Sequence, residues 1–203
     1  MNKITIDRGF KDLLPALDKE TYARLEENIL KYGCLDALIL WNGKLVDGHA
    51  RYAICQKHNI PFKTIEINYG NREEALACII SAQIARRNLT PIQLSHYRGL
   101  HYRADRQMHG RCARSNTKDR LAGKYRVSPR TIARDANIAA AIEAIGEVSP
   151  EAKRQVLAGE IKINKNTLCN ISMLPKKDIE DIAFKIEYGT YTNNQSKSAF
   201  TNS

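Results

Sequence analysis

Strand-like sequence is confined to the first third of the chain, and this distribution limits the folds that the chain can adopt. Two short apolar runs, Ala37–Trp41 and Lys44–Val46, flank the dipeptide Asn42-Gly43. Both central residues of a type I′ turn need positive φ, and Asn-Gly meets that need well. The pattern predicts a β-hairpin. No convincing strand pattern appears from Pro91 onward.

Helical patterns surround the hairpin. The apolar spacing predicts helices over residues 21–33, 49–59 and 72–89, and the alternating segment FKTIEI predicts one more strand over residues 62–67. Beyond residue 90 every periodic segment has helical spacing. The fold class expected is therefore α+β, with an α+β unit followed by an all-helical unit.

The boundary between these units is expected next to Thr90 and Pro91. Thr90 can cap the following helix, and Pro91 can occupy its first turn, where a missing N–H costs nothing. We predict an α+β domain over residues 1–89, a helical domain over residues 90–191 and a flexible tail over residues 192–203.

Basic residues are concentrated in one part of the chain. The net charge is +10, and the segment from Arg98 to Arg134 alone carries +9, because its eleven Lys and Arg residues face only two Asp residues. A patch of this kind favours a polyanionic partner. The arginine-rich stretch at 103–116 is either a solvated loop or an arm that follows a phosphate backbone.

Five cysteines, an odd number without a CxxC pair, indicate neither a disulfide framework nor a zinc ribbon. The first residues lack the apolar core of a signal peptide, and no apolar run approaches the ~20 residues of a membrane span. We expect a soluble cytoplasmic protein that has no membrane partner.

Residues 117–136 have the pattern of a helix-turn-helix. Leu121 and Ala122 lie in the first helix, Val127 lies in the turn, and Ile132 points inward from the second helix. These apolar and small residues allow two helices to cross closely. The turn position often occupied by Gly is Arg126, which would need either positive φ at a modest cost or a slightly different turn.

The second helix of this motif presents polar and basic side chains outward. Arginine can bind guanine edges or phosphates, and hydroxyls suit phosphate oxygens. The alternative is an ordinary αα corner with a solvated basic face. We predict a DNA-binding face formed by Lys118, Arg126, Ser128, Arg130, Thr131 and Arg134.

The junction DGHAR, at residues 47–51, leads from the hairpin into a helix and has two interpretations. A helix N-terminus suits an anion, so Gly48, His49, Ala50 and Arg51 could bind a phosphate. Without a ligand, Asp47 would cap the helix, Gly48 would permit the turn and Tyr52 would pack beneath it.

Three stretches resemble ParB-type partition proteins, namely LVDGHARYAI, AQIARRNLTPIQ and RLAGKYRVSPRTIARD. The resemblance covers roughly residues 13–145 and is most similar to plasmid and mobile-element members. It implies a ParB/sulfiredoxin-like domain followed by a helix-turn-helix domain. It also implies double-stranded DNA, a second copy of the chain and a partition ATPase as partners.

In CTP-binding members of this family, the junction binds nucleotide phosphates. Here Gly48, Arg51 and Tyr52 match, whereas His49 and Ala50 replace an acidic and a basic residue. Of the second family motif, Arg86 survives, but Ser81-Ala82 lacks the oxygen ligands that magnesium prefers. The resemblance implies CTP with magnesium as a cofactor, and these departures predict weak or absent binding. The sulfiredoxin cysteine is missing from the junction, and Cys55 is expected in the core.

The leading hypothesis is a sequence-specific DNA-binding protein that acts in partition or transcriptional regulation. One alternative is an enzyme, either a nucleotide hydrolase such as a CTPase or a DNase, that uses Asp47, His49 and Arg51. Another is a protein-interaction module. No catalytic residue and no metal ligand are assigned.

Overall fold

The computed structural model describes residues 4–11, 13, 17, 19–85, 89–109 and 114–192. The fold is mixed α+β, with a small four-stranded sheet followed by a series of helices. The chain forms two compact units, residues 1–79 and 80–203, and the division lies within a helix. The boundary inferred from the sequence was ten residues later, at residues 89 and 90.

The first unit contains a sheet with strand order β1-β3-β2-β4. Strands β2 and β3 are antiparallel, and the outer strands β1 and β4 pair with them in parallel. Its elements are β1 (Thr5–Ile6), α1 (Arg8–Lys11), α2 (Lys19–Tyr32), β2 (Leu38–Trp41), β3 (Lys44–Asp47), α3 (His49–His58), β4 (Thr64–Glu66) and α4 (Arg72–Ile84), the last of which continues into the second unit.

The β2–β3 connection is the hairpin that the sequence predicts. Asn42 and Gly43 have φ values of 47° and 71°, as a type I′ turn requires. The hairpin is buried on one side, where Leu38, Leu40 and Leu45 form an apolar cluster. Strand β1 was not predicted, because it has only two residues and pairs with a strand distant in sequence.

Asp7 and Arg72 connect the N-terminal segment to α4. The two guanidinium nitrogens of Arg72 donate to the Asp7 carboxylate at 2.7 and 2.9 Å, and the same guanidinium lies over the Phe10 ring. The hydrogen bond from Arg72 lowers the pKa of Asp7 to about 2. This ion pair fixes the position at which α4 begins.

The second unit is helical throughout its described residues, as predicted. Its further helices are α5 (Pro91–His109), α6 (Arg114–Tyr125), α7 (Pro129–Val148), α8 (Pro150–Ala158), α9 (Lys165–Ile171) and α10 (Lys176–Glu187). At the start of α5, the Thr90 hydroxyl accepts from the Gln93 amide at 3.2 Å, which is the cap that the sequence predicts. Among the described helices, none is long and apolar enough to cross a membrane.

Helix α7 is the centre of this unit. Its residues Ile138, Ile142 and Ile145 are completely buried, and the side chains of α8, α9 and α10 complete the same core. Arg98 of α5 donates from Nε to the Asp135 carboxylate of α7 at 2.6 Å, and both side chains are buried. Removing either partner from such a buried pair strongly destabilises the fold, because the other charge is left buried without compensation. It therefore fixes how α5 and α7 align.

Candidate nucleic-acid interface

Helices α6 and α7 are joined by a turn of three residues, Arg126, Val127 and Ser128. Arg126 has φ of 54°, in the left-handed region, which is the first of the two conformations that the sequence allows at this position. The amide of Val127 donates to the Ala122 carbonyl at 3.0 Å, which closes the C-terminal end of α6. The chain thus reverses direction tightly enough for the two helices to pack directly.

The interior of this corner contains the residues that the sequence places there. Leu121 and Ile132 are completely buried, and Ala122 and Tyr102 pack with them. Val127 lies against the same cluster. Because Ile132 faces this core, Arg130 and Arg134, two residues away on either side, face outward and are exposed.

Ser128 begins α7 as predicted. Its hydroxyl accepts from the Thr131 amide at 3.1 Å, and Pro129 occupies the first turn, where no N–H is needed. The hydroxyls of Ser128 and Thr131 are also 2.9 Å apart. Because one hydroxyl donates to the other, the pair keeps one O–H donor and part of its acceptor capacity for a further contact.

The predicted cations lie at this corner and are accessible. Arg126, Arg130 and Arg134 are exposed, and Lys118 of α6 is half-buried. Arg130 and Arg134 are four residues apart, so they share one face of α7. Throughout the part of the chain that the structure describes, none of these four side chains forms an ion pair with a carboxylate. Their charge is therefore available to an external anion.

Other basic residues of the same segment are neutralised internally. Arg98 pairs with Asp135, and Arg120 pairs with the buried carboxylate of Asp105. These pairings join residues 37 and 15 positions apart, so no sequence pattern identifies them. Part of the positive charge of this segment is therefore neutralised within the protein and is not available to a partner.

Helices α5 and α6 also contact each other through Tyr125, the last residue of α6 before the turn. The Tyr125 hydroxyl hydrogen-bonds with Nδ1 of His101, and the two rings meet edge to face. Burial lowers the pKa of His101 to about 4 and raises the pKa of Tyr125 to about 12. Both side chains are therefore neutral at pH 7.

One side chain that sequence reasoning missed also contacts the predicted face. Nη2 of Arg134 donates to the side-chain carbonyl of Asn166, in α9, at 2.6 Å. The two residues are 32 positions apart. No local pattern in the sequence connects α9 with the corner.

The DGHAR junction has a defined local geometry. Gly48 has φ of 95° and is the N-cap residue of α3. A Cβ at this position would lie 2.6 Å from Cδ2 of Leu38, so a larger residue does not fit. The expectation that Asp47 caps the helix is wrong, because no side chain caps α3. Tyr52 packs beneath the junction, against the Phe62 ring and the hairpin leucines.

Arg51 contacts carboxylates on two sides. Nη2 lies 3.1 Å from Oδ2 of Asp47, and Nη1 lies 3.4 Å from Oδ2 of Asp36. The Arg51 side chain is only 18% exposed. Two negative charges around one guanidinium repel an incoming phosphate, so this arrangement fits a triphosphate poorly and favours the structural interpretation.

Of the other residues in the predicted phosphate site, the structure describes two, His49 and Ala50. His49 and Ala50 are the first two residues of α3 and are half-buried, whereas Arg86 lies outside the described residues. Among the described residues, no three His, Cys, Asp or Glu side chains are grouped closely enough to hold a metal ion.

Cys55 lies in the core, as predicted. It is 1% exposed and packs with Ile29 and Ile54. Burial, with a hydrogen bond from Cys34 as a second cause, raises the pKa of its thiol to about 11. A thiol with this pKa is a poor nucleophile at neutral pH.

Comparison with known proteins gives one kind of match. No family model and no curated protein sequence matches the chain. A solved structure, described as the C2221 form of a Pnob8-like ParB-N domain, superimposes with a TM-score of 0.56 at 16% sequence identity. The match covers 98% of this chain and 90% of that one. The chain therefore has a ParB-N-like fold.

Proposed function

We propose that the helical unit binds double-stranded DNA in a sequence-specific manner and serves partition or transcriptional regulation of a plasmid or other mobile element. One observation carries this proposal. Cations without a carboxylate partner among the described residues lie at the turn and on the first two turns of α7, while neighbouring arginines are neutralised internally.

The corner has the form that a DNA major groove admits. An α-helix fits this groove when a second helix packs across it and leaves its N-terminal face accessible. Arg130 and Arg134 are assigned to guanine edges, and the hydroxyls of Ser128 and Thr131 to phosphate oxygens. Lys118 and Arg126 are assigned to backbone phosphates that flank these bases.

Partition is proposed because a solved structure with a similar fold is described as a ParB-N domain. A helix-turn-helix protein commonly binds two half-sites as a dimer, and a two-fold DNA site favours a dimer of the reading protein. We therefore propose a homodimer and, for a partition role, a partition ATPase as the further partner.

Selection of bound sequences from a random duplex pool tests this function. Enrichment of one sequence is expected, and a palindromic sequence would identify the dimer. Six phosphate contacts would weaken binding about a thousandfold between roughly 50 and 200 mM salt. Absence of binding to any duplex at low salt would refute the proposal and favour a protein-interaction module.

An enzymatic role at the junction is less well supported. Asp47 and Arg51 are bound to each other, so neither is poised for acid-base work. Turnover of nucleotides or DNA that is abolished by His49→Ala would nevertheless assign a hydrolase or nuclease. We expect no such turnover.

A further inference from the structure

Helix α9 packs on the first half of α7, beside the proposed DNA-binding face. Besides the bond between Arg134 and Asn166, the Cys169 thiol donates to the main-chain carbonyl of Arg134 at 3.7 Å. Asn166 and Arg134 are both exposed. An exposed arginine would ordinarily sample many rotamers, but here α9 restrains both its backbone and its guanidinium.

The surroundings of Arg134 have an excess of positive charge. Lys165 lies close enough to Arg134, Arg98 and Asp135 to interact with them electrostatically, and the Asp135 carboxylate is already hydrogen-bonded to Arg98. Burial is the main cause that lowers the pKa of Lys165; the Asp135 carboxylate raises it, and the two arginines lower it. An anion is therefore favoured at this surface.

Arg134 differs from Arg98 and Arg120 in the chemical group that accepts its hydrogen bond. Arg98 and Arg120 are held by carboxylates, which neutralise them. Arg134 is held by a neutral carboxamide, which accepts one hydrogen bond and leaves the positive charge uncompensated. The remaining N–H donors of the guanidinium stay free to make a bidentate contact.

We propose that Asn166 is a positioning residue that orients the Arg134 guanidinium for base recognition, so that α9 forms part of the DNA-reading surface. This inference rests on the proposed DNA-binding function. It assigns to α9 a role in sequence preference, because a restrained arginine loses less rotamer entropy on binding and meets one base edge in one geometry.

The experiment measures the affinity of the full-length protein for two duplexes of equal length, the one enriched from the random pool and a scrambled one. Asn166→Ala should weaken binding to the enriched duplex about three- to tenfold and leave the scrambled duplex unaffected. Repeated selection with Asn166→Ala should lose preference at one base pair of the half-site.

Three further variants make the test specific. Asn170→Ala removes an exposed asparagine one turn further along α9 and should behave as the wild type. In an Arg134→Ala background, Asn166→Ala should have no additional effect. Asn166→Asp places a carboxylate beside Arg134, which would neutralise it as Asp135 neutralises Arg98, so it should weaken binding to the enriched duplex at least as much as Asn166→Ala.

The outcomes separate the two proposals. No binding of the wild type to either duplex would refute DNA binding itself. Normal selective binding by the wild type, with Asn166→Ala equally selective, would overturn only the role of Asn166. An Asn166→Ala effect that persists without Arg134, or an Asn166→Asp variant that binds the enriched duplex as tightly as the wild type, would overturn it as well.

Discussion

Gly99 determines how closely α5 and α7 approach. A Cβ at this position would lie 2.6 Å from Cβ of Ala139 and 2.7 Å from the carbonyl carbon of Asp135. Both neighbours are parts of α7 that cannot move without disturbing the buried pair between Arg98 and Asp135. The close crossing at this single residue therefore supports the alignment of the two longest helices in the unit.

Gly99→Ala should destabilise the helical unit by about 1–3 kcal/mol, because one methyl group overpacks this crossing. Gly123→Ala, in α6, is the matched control, since no atom lies within 4 Å of its added Cβ. The control should be neutral or stabilising by up to about 1 kcal/mol. Urea unfolding followed by circular dichroism measures both. Equal effects would show that the helices do not meet at Gly99.

Arg130→Ala should leave the fold intact and weaken binding to the enriched duplex by ~1–3 kcal/mol, because an exposed arginine on the reading face is lost. Arg154→Ala, in α8, is the control, because Arg154 is a half-buried arginine already paired with Glu151 and Glu160. Equal loss on enriched and scrambled DNA would reassign Arg130 to a phosphate.

At the scale of elements, the structure uses a turn that strains one residue. Arg126 adopts a left-handed conformation that costs a residue with a Cβ roughly 1 kcal/mol. Arg126 is also exposed and has no ion-pair partner among the described residues. A residue that is unfavourable for stability but presents a charge at the corner fits a binding role.

Arg126→Gly should therefore separate stability from binding. The substitution should stabilise the helical unit by about 0.5 to 1 kcal/mol, because glycine adopts positive φ without steric cost. It should at the same time weaken DNA binding and lower the salt dependence by about one phosphate contact. Arg126→Lys, which retains charge and strain, should change both quantities little. Unchanged DNA affinity in the glycine variant would remove Arg126 from the interface.

The contact between α5 and α6 should make stability depend on pH. Burial holds the pKa of His101 at about 4, with Lys124 and Arg120 lowering it further against Asp105. Folded His101 thus stays neutral while the unfolded chain binds a proton below about pH 6.5. Stability should fall by up to about 3 kcal/mol as the pH drops from 6.5 to 4, and this histidine should cause no further loss below 4.

Unfolding measured across this pH range tests the prediction. His101→Asn should flatten much of the slope between pH 6.5 and 4, whereas Tyr125→Phe, which leaves His101 buried, should retain it. A slope unchanged in His101→Asn would assign the loss to other groups. The buried His96, whose pKa burial also lowers, accounts for a remaining slope in the same window.

Elements whose causes are local were predictable from the sequence. The Asn42-Gly43 turn, the caps at Thr90 and Ser128 and the burial of Ile132 each follow from a few neighbouring residues. Contacts between distant positions were not predictable. The pairing of Arg51 with Asp36 and the bond between Arg134 and Asn166 depend on how whole elements pack, and this packing decides which cations stay available.

At the scale of the whole molecule, charge is divided unequally between the two units. Residues 1–79 contain eleven Lys and Arg and eleven Asp and Glu, so the entire net charge of +10 belongs to residues 80–203. A formally neutral first unit offers a multivalent anion no long-range attraction. The helical unit is therefore the expected site for a polyanion.

Free CTP should accordingly bind weakly or not at all, and any binding should depend little on magnesium. The reason is that Arg51, the basic residue of the DGHAR junction, is already compensated by Asp36 and Asp47. Calorimetry with CTP, ATP and GTP, with and without magnesium, measures this directly. Asp36→Asn is the informative variant, because removing one competing carboxylate should strengthen any phosphate binding at Arg51. Tight magnesium-dependent CTP binding by the wild type, abolished in Arg51→Ala, would show that the ion pairs open for a nucleotide and that the junction is a ligand site.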